Sequence, residues 1–125
     1  MRVLIVDDSA VVRERVTTLL SEVESVEVVG HAETVREART SVETLHPDVV
    51  ILDIRLMDGS GIDVLTYIKQ HRPELKVIML TNYPYPQYRK KCLEAGAEFF
   101  FDKSREFDQI AAVVRSWARR SSPKA

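Results

Sequence analysis

The chain has 125 residues, 45% of them apolar, and a formal net charge of −1. That is enough for one domain with one core, and the charge gives no general attraction to nucleic acid or to an anionic membrane. Cys92 is the only cysteine, which excludes an internal disulfide and fits a reducing compartment; with no signal-peptide pattern and no apolar run near the ~18 residues of a membrane span, the expectation is a cytoplasmic protein.

Residues 3–6 read as a buried strand and meet the pair Asp7-Asp8. Ser9 is placed to cap a helix whose apolar face carries Val12, Val16, Leu19, Leu20 and Val23. Residues 26–32 return to strand character, weakened by Glu27, Gly30 and His31. Thr34-Val-Arg-Glu37 matches a capping box, with Val35, Ala38, Val42 and Leu45 following at helical spacing and Pro47 closing the helix. The run Asp48-Val-Val-Ile-Leu-Asp53 predicts a strand buried on both faces that ends in a carboxylate. Asp58-Gly59-Ser60-Gly61 is a turn signal, after which Ile62, Leu65 and Ile68 make a helical face that Pro73 ends. Residues 77–80 predict a fourth strand.

Pro84 and Pro86 forbid regular helix, so the fourth helix should start late and be short, with Tyr88, Cys92 and Ala95 on one side and Gly96 as its terminator. Residues 97–101 predict a fifth strand, and Phe107, Ile110, Val114 and Trp117 a last amphipathic helix. Cys92 and Phe99, Phe100 and Phe101 read as packing, and His31, His46 and His71 as surface residues without metal-ligand spacing. Arg115, Arg119, Arg120 and Lys124 complement a helix C-terminus. Tyr83-Pro84-Tyr85-Pro86 reads equally as a partner surface or as local packing of a rigid loop. Five strands alternating with five helices over short connections imply right-handed crossovers and a parallel sheet covered on both faces. The domain is expected over residues 1–120, with a flexible tail over 121–125.

The polar candidates all stand just after strands: Asp7 and Asp8, Asp53, Thr81 and Lys103. In an open α/β sheet those positions share the edge where ligands bind. Two carboxylates about 4 Å apart repel by roughly 4 kcal/mol at an effective dielectric of about 20, so such a cluster calls for a cation. Mg²⁺ takes hard oxygen ligands and keeps several waters. A lysine and a hydroxyl beside it suit a phosphoryl group, and an aspartate is an established covalent acceptor of one.

The chain resembles the receiver domain of bacterial two-component response regulators. The matching residues are Leu4-Ile-Val-Asp7-Asp8-Ser9, Val50-Ile-Leu-Asp53, Leu80-Thr81, Phe101-Asp102-Lys103 and Gly59-Ser-Gly61, and the likeness covers essentially the whole chain. It implies a flavodoxin-like, doubly wound sheet of order 2-1-3-4-5 with five helices. It implies Asp53 as phosphoacceptor, Asp7, Asp8 and Asp53 with the Arg55 backbone carbonyl as Mg²⁺ ligands, Thr81 and Lys103 on the phosphoryl group, and Thr81 and Phe100 as switch residues. A sensor histidine kinase or phosphotransfer protein would be the donor. The face of the fourth helix, fifth strand and fifth helix would signal to a downstream protein. The resemblance implies slow self-dephosphorylation rather than turnover, and a monomer or weak dimer without direct nucleic-acid contact.

Three departures touch the loops: Met57 and Ser104 where the family usually has proline, and Asn82 where it usually has a smaller residue. The alternatives are a receiver excised from a DNA-binding transcriptional regulator and a phosphorelay intermediate rather than a stand-alone receiver. A haloacid-dehalogenase-like phosphatase needs a second Asp where Arg55 stands, and a partner-binding pseudo-receiver would not need the intact acidic, threonine and lysine positions.

Overall fold

The computed structural model describes residues 1–121. Five parallel strands form its sheet: β1 (Arg2–Val6), β2 (Glu27–Ala32), β3 (Val49–Leu52), β4 (Lys76–Thr81) and β5 (Phe99–Asp102). Their spatial order is β2-β1-β3-β4-β5, the flavodoxin-like order that the resemblance implies. The helices between and after them are α1 (Ala10–Ser21), α2 (Val35–Leu45), α3 (Gly61–His71), α4 (Pro86–Glu94) and α5 (Gln109–Ser121). Ser121 therefore closes α5, and the rest of the expected tail, with Lys124, lies outside the described residues.

Alternation along the strands divides the core into two layers. Leu4, Val6, Val50, Leu52, Val77, Met79 and Phe100 face α2, α3 and α4, where Ala38, Val42, Leu65, Ile68 and Cys92 receive them. Val3, Ile5, Val49, Ile51, Ile78, Leu80 and Phe101 face Val16 and Leu20 of α1 and Ile110, Val114 and Trp117 of α5. Truncating a fully buried residue such as Leu52 to alanine costs about 2–5 kcal/mol. Among the described residues, no helix is long and apolar enough to cross a membrane.

The helix ends follow their sequence signals. Ser9 Oγ accepts from the Val12 N–H at 3.3 Å, and Thr34 Oγ1 from the Glu37 N–H at 3.0 Å. Pro86 opens α4 at a position where its missing N–H costs nothing, so this helix is late and short. Gly96 follows its C-cap at φ +106°, a conformation side-chained residues rarely adopt.

Three expectations are corrected. β5 begins at Phe99, not at residue 97, because its ladder with β4 runs from Ile78–Phe99 to Thr81–Asp102. Phe107 is buried but precedes α5, in a turn whose i→i+3 bonds keep it on the same face as Ile110. The turn after Asp53 is a small antiparallel ladder pairing Arg55 with Ser60 and Leu56 with Gly59.

Candidate functional site

β1 and β3 lie in register, Val3 beside Val49 through Val6 beside Leu52. The next residues of these strands are Asp7 and Asp53, and the Asp53 N–H donates to the Val6 carbonyl at 3.0 Å. Register alone therefore sets the two carboxylates side by side. Both are buried, 2% and 5% exposed, while Asp8 opens to solvent. One oxygen from each of Asp7, Asp8 and Asp53 lies within 4.8 Å of the other two.

Lys103 stands in the turn after β5 and is 8% exposed. Its Nζ lies 2.7 Å from Asp7 Oδ2 and 2.9 Å from Asp53 Oδ2. The remaining oxygens are oriented by backbone: Asp7 Oδ1 accepts from the Ser9 N–H at 2.9 Å and Asp53 Oδ1 from the Ile54 N–H at 2.7 Å. Burial pushes the Asp53 carboxyl above its ordinary value, with the Asp7 charge adding to the rise, although Lys103 pulls the other way. Burial alone would lower the Lys103 ammonium, but its hydrogen bonds and attraction to Asp7 and Asp53 hold it above its ordinary value.

Thr81, fully buried, ends β4, and its Oγ1 accepts from the Tyr83 N–H at 3.0 Å. The Lys103 N–H donates to the Thr81 carbonyl, which ties the last two strand ends together. Phe100 is buried, with the Arg89 guanidinium 5.8 Å from its ring and donating to its carbonyl. Phe99 instead is the part-exposed aromatic of β5, against Phe101 and Trp117. Tyr83, Tyr85 and Tyr88 form a chain of ring contacts, and the Arg55 guanidinium sits 4.1 Å from the Tyr83 ring centre.

The donor set fits Mg²⁺. Three carboxylates cluster beside one ammonium that bonds two of them, all ligand atoms are hard oxygens, and the exposed Asp8 opens the cluster to the waters such an ion keeps. Among the described residues, Asp7, Asp8 and Asp53 are the side chains able to hold it.

One of the three departures finds a physical account. Ser104 donates both its N–H and its Oγ–H to Asp102 Oδ1, at 2.9 and 2.8 Å, which no proline can do. These two bonds lower the Asp102 carboxyl. Met57 is exposed at a loop tip and Asn82 is exposed beside Thr81; nothing in the structure explains either choice.

Three residues support the site in roles that their turn or helix signals do not specify. Arg13 donates to the Asp7 carbonyl at 2.8 Å and pairs with Glu33 at 2.9 Å. Gly61 is obligatory, since a Cβ there would lie 1.8 Å from the Asp53 carbonyl oxygen. Asp58 reads as a turn residue by composition, yet its carboxylate caps α2. Cys92 is fully buried with its thiol pushed up to about 11 by desolvation, so it belongs to the core.

Comparison with known proteins agrees with this geometry. Residues 3–115 match the family model described as the response regulator receiver domain. Response regulator protein VraR of Staphylococcus aureus is 33% identical over 122 residues, 98% of this chain, and the chain spans 58% of that curated relative's length. The response regulator domain of Thermotoga maritima CheB has a TM-score of 0.83 at 29% identity, over 98% of each chain. A chain from the CheX–CheY–BeF3–Mg²⁺ complex of Borrelia burgdorferi has a TM-score of 0.79 at 28% identity, over 91% of this chain and 89% of that one. With a sheet of the same order and a family match over nearly its whole length, the chain belongs to the response regulator receiver domains of two-component systems.

Proposed function

We propose that Asp53 accepts a phosphoryl group from a histidine kinase or phosphotransfer protein, and that the gain of charge is read out through the face of α4, β5 and α5. The observation that carries this reading is the buried Lys103 ammonium bridging Asp7 and Asp53 at a strand-end acid cluster. The Asp53 carboxylate attacks phosphorus, the P–N bond to the donor histidine breaks, and the imidazole leaves with the electron pair. The Lys103 ammonium has three donors, two of them on Asp7 and Asp53, so it can turn toward a phosphoryl oxygen without losing every partner. Thr81 Oγ1 accepts from Tyr83 and keeps its own proton to donate.

Asp7, Asp8 and Asp53, with the Arg55 backbone carbonyl, would hold Mg²⁺, which supplies positive charge against the phosphoryl oxygens. Support comes from the acid cluster itself and from the similar chain in the Borrelia CheX–CheY complex, which contains BeF3 and Mg²⁺. Movement of Thr81 toward the phosphoryl group releases the Tyr83 N–H and draws on the buried Phe100 beneath α4. A full switch from about 1:99 to 99:1 needs roughly 5.5 kcal/mol of differential stabilisation. Water returns the site to carboxylate and inorganic phosphate slowly, so the chain acts as an acceptor and not as a turnover enzyme.

A second reading, in which this receiver works within a longer regulator, is favoured by the 58% of VraR that the chain spans. Labelling by a small acyl phosphate tests the acceptor role. Label is expected on wild type with Mg²⁺, and neither in a chelator nor on Asp53→Asn. Full labelling of Asp53→Asn overturns the assignment.

A further inference from the structure

The segment from Asp53 to Gly61 is a loop pinned at three levels. At its base the Gly61 N–H donates to the Ile54 carbonyl and Gly61 abuts the Asp53 carbonyl. In the middle the Arg55–Leu56 and Gly59–Ser60 ladder closes it. At its tip, Asp58 Oδ1 accepts from the Val35 N–H at 2.6 Å and Oδ2 from the Arg36 N–H at 3.2 Å. The tip of the loop is thus fastened to the first turn of α2, 23 residues away in sequence. Gly59 packs there too: a Cβ on it would lie 3.3 Å from Val35 Cγ2.

A helix start already has a good cap of its own in Thr34 Oγ1, which takes the Glu37 N–H. Asp58 takes two further orphan donors, and it does so from an exposed position on a loop that carries the proposed acid site at its base. The Val35 and Arg36 bonds hold its carboxyl below the usual value, so it stays ionised across the ordinary working range. Between the pinned base and the pinned tip lies Arg55, whose backbone carbonyl is the one loop ligand in the reading above. If the tip is freed, the carbonyl's position is left to the base bond and the two-pair ladder, with nothing holding the far end of the loop.

We infer that Asp58 is a positioning residue for the divalent cation: by clamping the loop tip to α2 it holds the Arg55 carbonyl in place. This rests on the acceptor reading and adds to it a residue that touches neither cation nor phosphoryl group. Loss of an outer partner typically costs a metal site 10–100-fold in affinity, so Asp58→Ala is expected to weaken Mg²⁺ binding on the order of tenfold. Asp58→Asn retains one carbonyl oxygen for one of the two N–H groups and should fall between.

Calorimetric titration of the unphosphorylated chain with Mg²⁺ alone tests this, with Thr34→Ala as the control. That substitution weakens the same helix start without touching the loop, so it should lower the melting temperature about as Asp58→Ala does and leave Mg²⁺ affinity unchanged. Equal Mg²⁺ affinity in wild type and Asp58→Ala overturns the inference while leaving the acceptor reading intact. So does an equal loss in Thr34→Ala, which would reduce Asp58 to a generic stabiliser. No Mg²⁺ binding by wild type removes the cation from the acceptor reading and this inference with it.

Discussion

Two lysine–carboxylate groups sit at opposite edges of the same sheet. At the N-terminal edge, Lys69 Nζ lies 3.0 Å from both oxygens of Glu98 and 2.8 Å from the Leu75 carbonyl. Glu98 Oε1 also accepts from the Val77 N–H at 2.6 Å, so it closes the start of β4. At the C-terminal edge, Lys103 holds two carboxylates with a third nearby. The residue types are the same, but the balance differs. One ammonium to one carboxylate is electrically complete and acts as a bolt. One ammonium to three carboxylates leaves negative charge uncompensated, and that surplus suits the second group to a cation, as the proposed acceptor role requires. Strand ends at both edges offer backbone donors; charge stoichiometry is what distinguishes the two.

Removing each lysine sharpens the contrast. Lys103→Met leaves the Asp7 and Asp53 carboxylates together without their shared cation, and breaking a buried pair costs about 3 kcal/mol or more, measured by denaturant unfolding in a chelator. Asp53, already raised, will take up a proton and limit the loss. Added Mg²⁺ should restore part of the stability, since an ion that binds only the folded state stabilises by mass action. Lys69→Met strands one carboxylate in a partly exposed setting, and the expected loss is smaller, about 2 kcal/mol. It should be the same with and without Mg²⁺. Equal recovery of both variants by Mg²⁺ would erase the distinction between bolt and site.

The acid site was legible because its cause is one-dimensional. Four apolar residues followed by Asp53, and another such run followed by Asp7, are enough once parallel register is assumed, and the register is the observed one. Lys103 and Thr81 followed from the same rule. What escaped is contact whose two halves carry no mutual signal. Asp58 reads as a turn former from its Gly neighbour, and nothing near Val35 says that its N–H will be capped from another loop. Arg13 falls on the polar side of α1 by periodicity, yet that side leans over the end of β1. The start of β5 differs from its sequence signal for a related reason. Phe99, Phe100 and Phe101 have strand propensity throughout, and where pairing starts is set by β4. Phe107 reads as helical in the sequence because a turn with i→i+3 bonds presents the same face as a helix does.

The smallest expected effect contrasts two aspartates of one loop. Asp53 is raised above the ordinary value of 3.8, chiefly by burial, so the folded state favours its neutral form. Its contribution to stability is therefore fully present below 3.8 and is lost as pH rises through the raised value. Asp53→Asn, neutral at every pH and still able to accept from Lys103 through its amide oxygen, should be more stable than wild type at neutral pH without metal. A gain on the order of 1 kcal/mol, the scale of a typical single substitution, is expected. The gain should vanish on acidification below 3.8. Asp58 carries the opposite sign: its carboxylate is lowered by the Val35 N–H, so its contribution is present above 3.8 and fades as pH falls through the lowered value. Asp58→Asn should then be less stable than wild type at neutral pH and converge with it in acid. Melting temperatures of the three proteins across pH in a chelator decide the matter. If both substitutions shift stability in the same direction at neutral pH, charge surplus is not what separates the acid cluster from the groups that merely hold the fold.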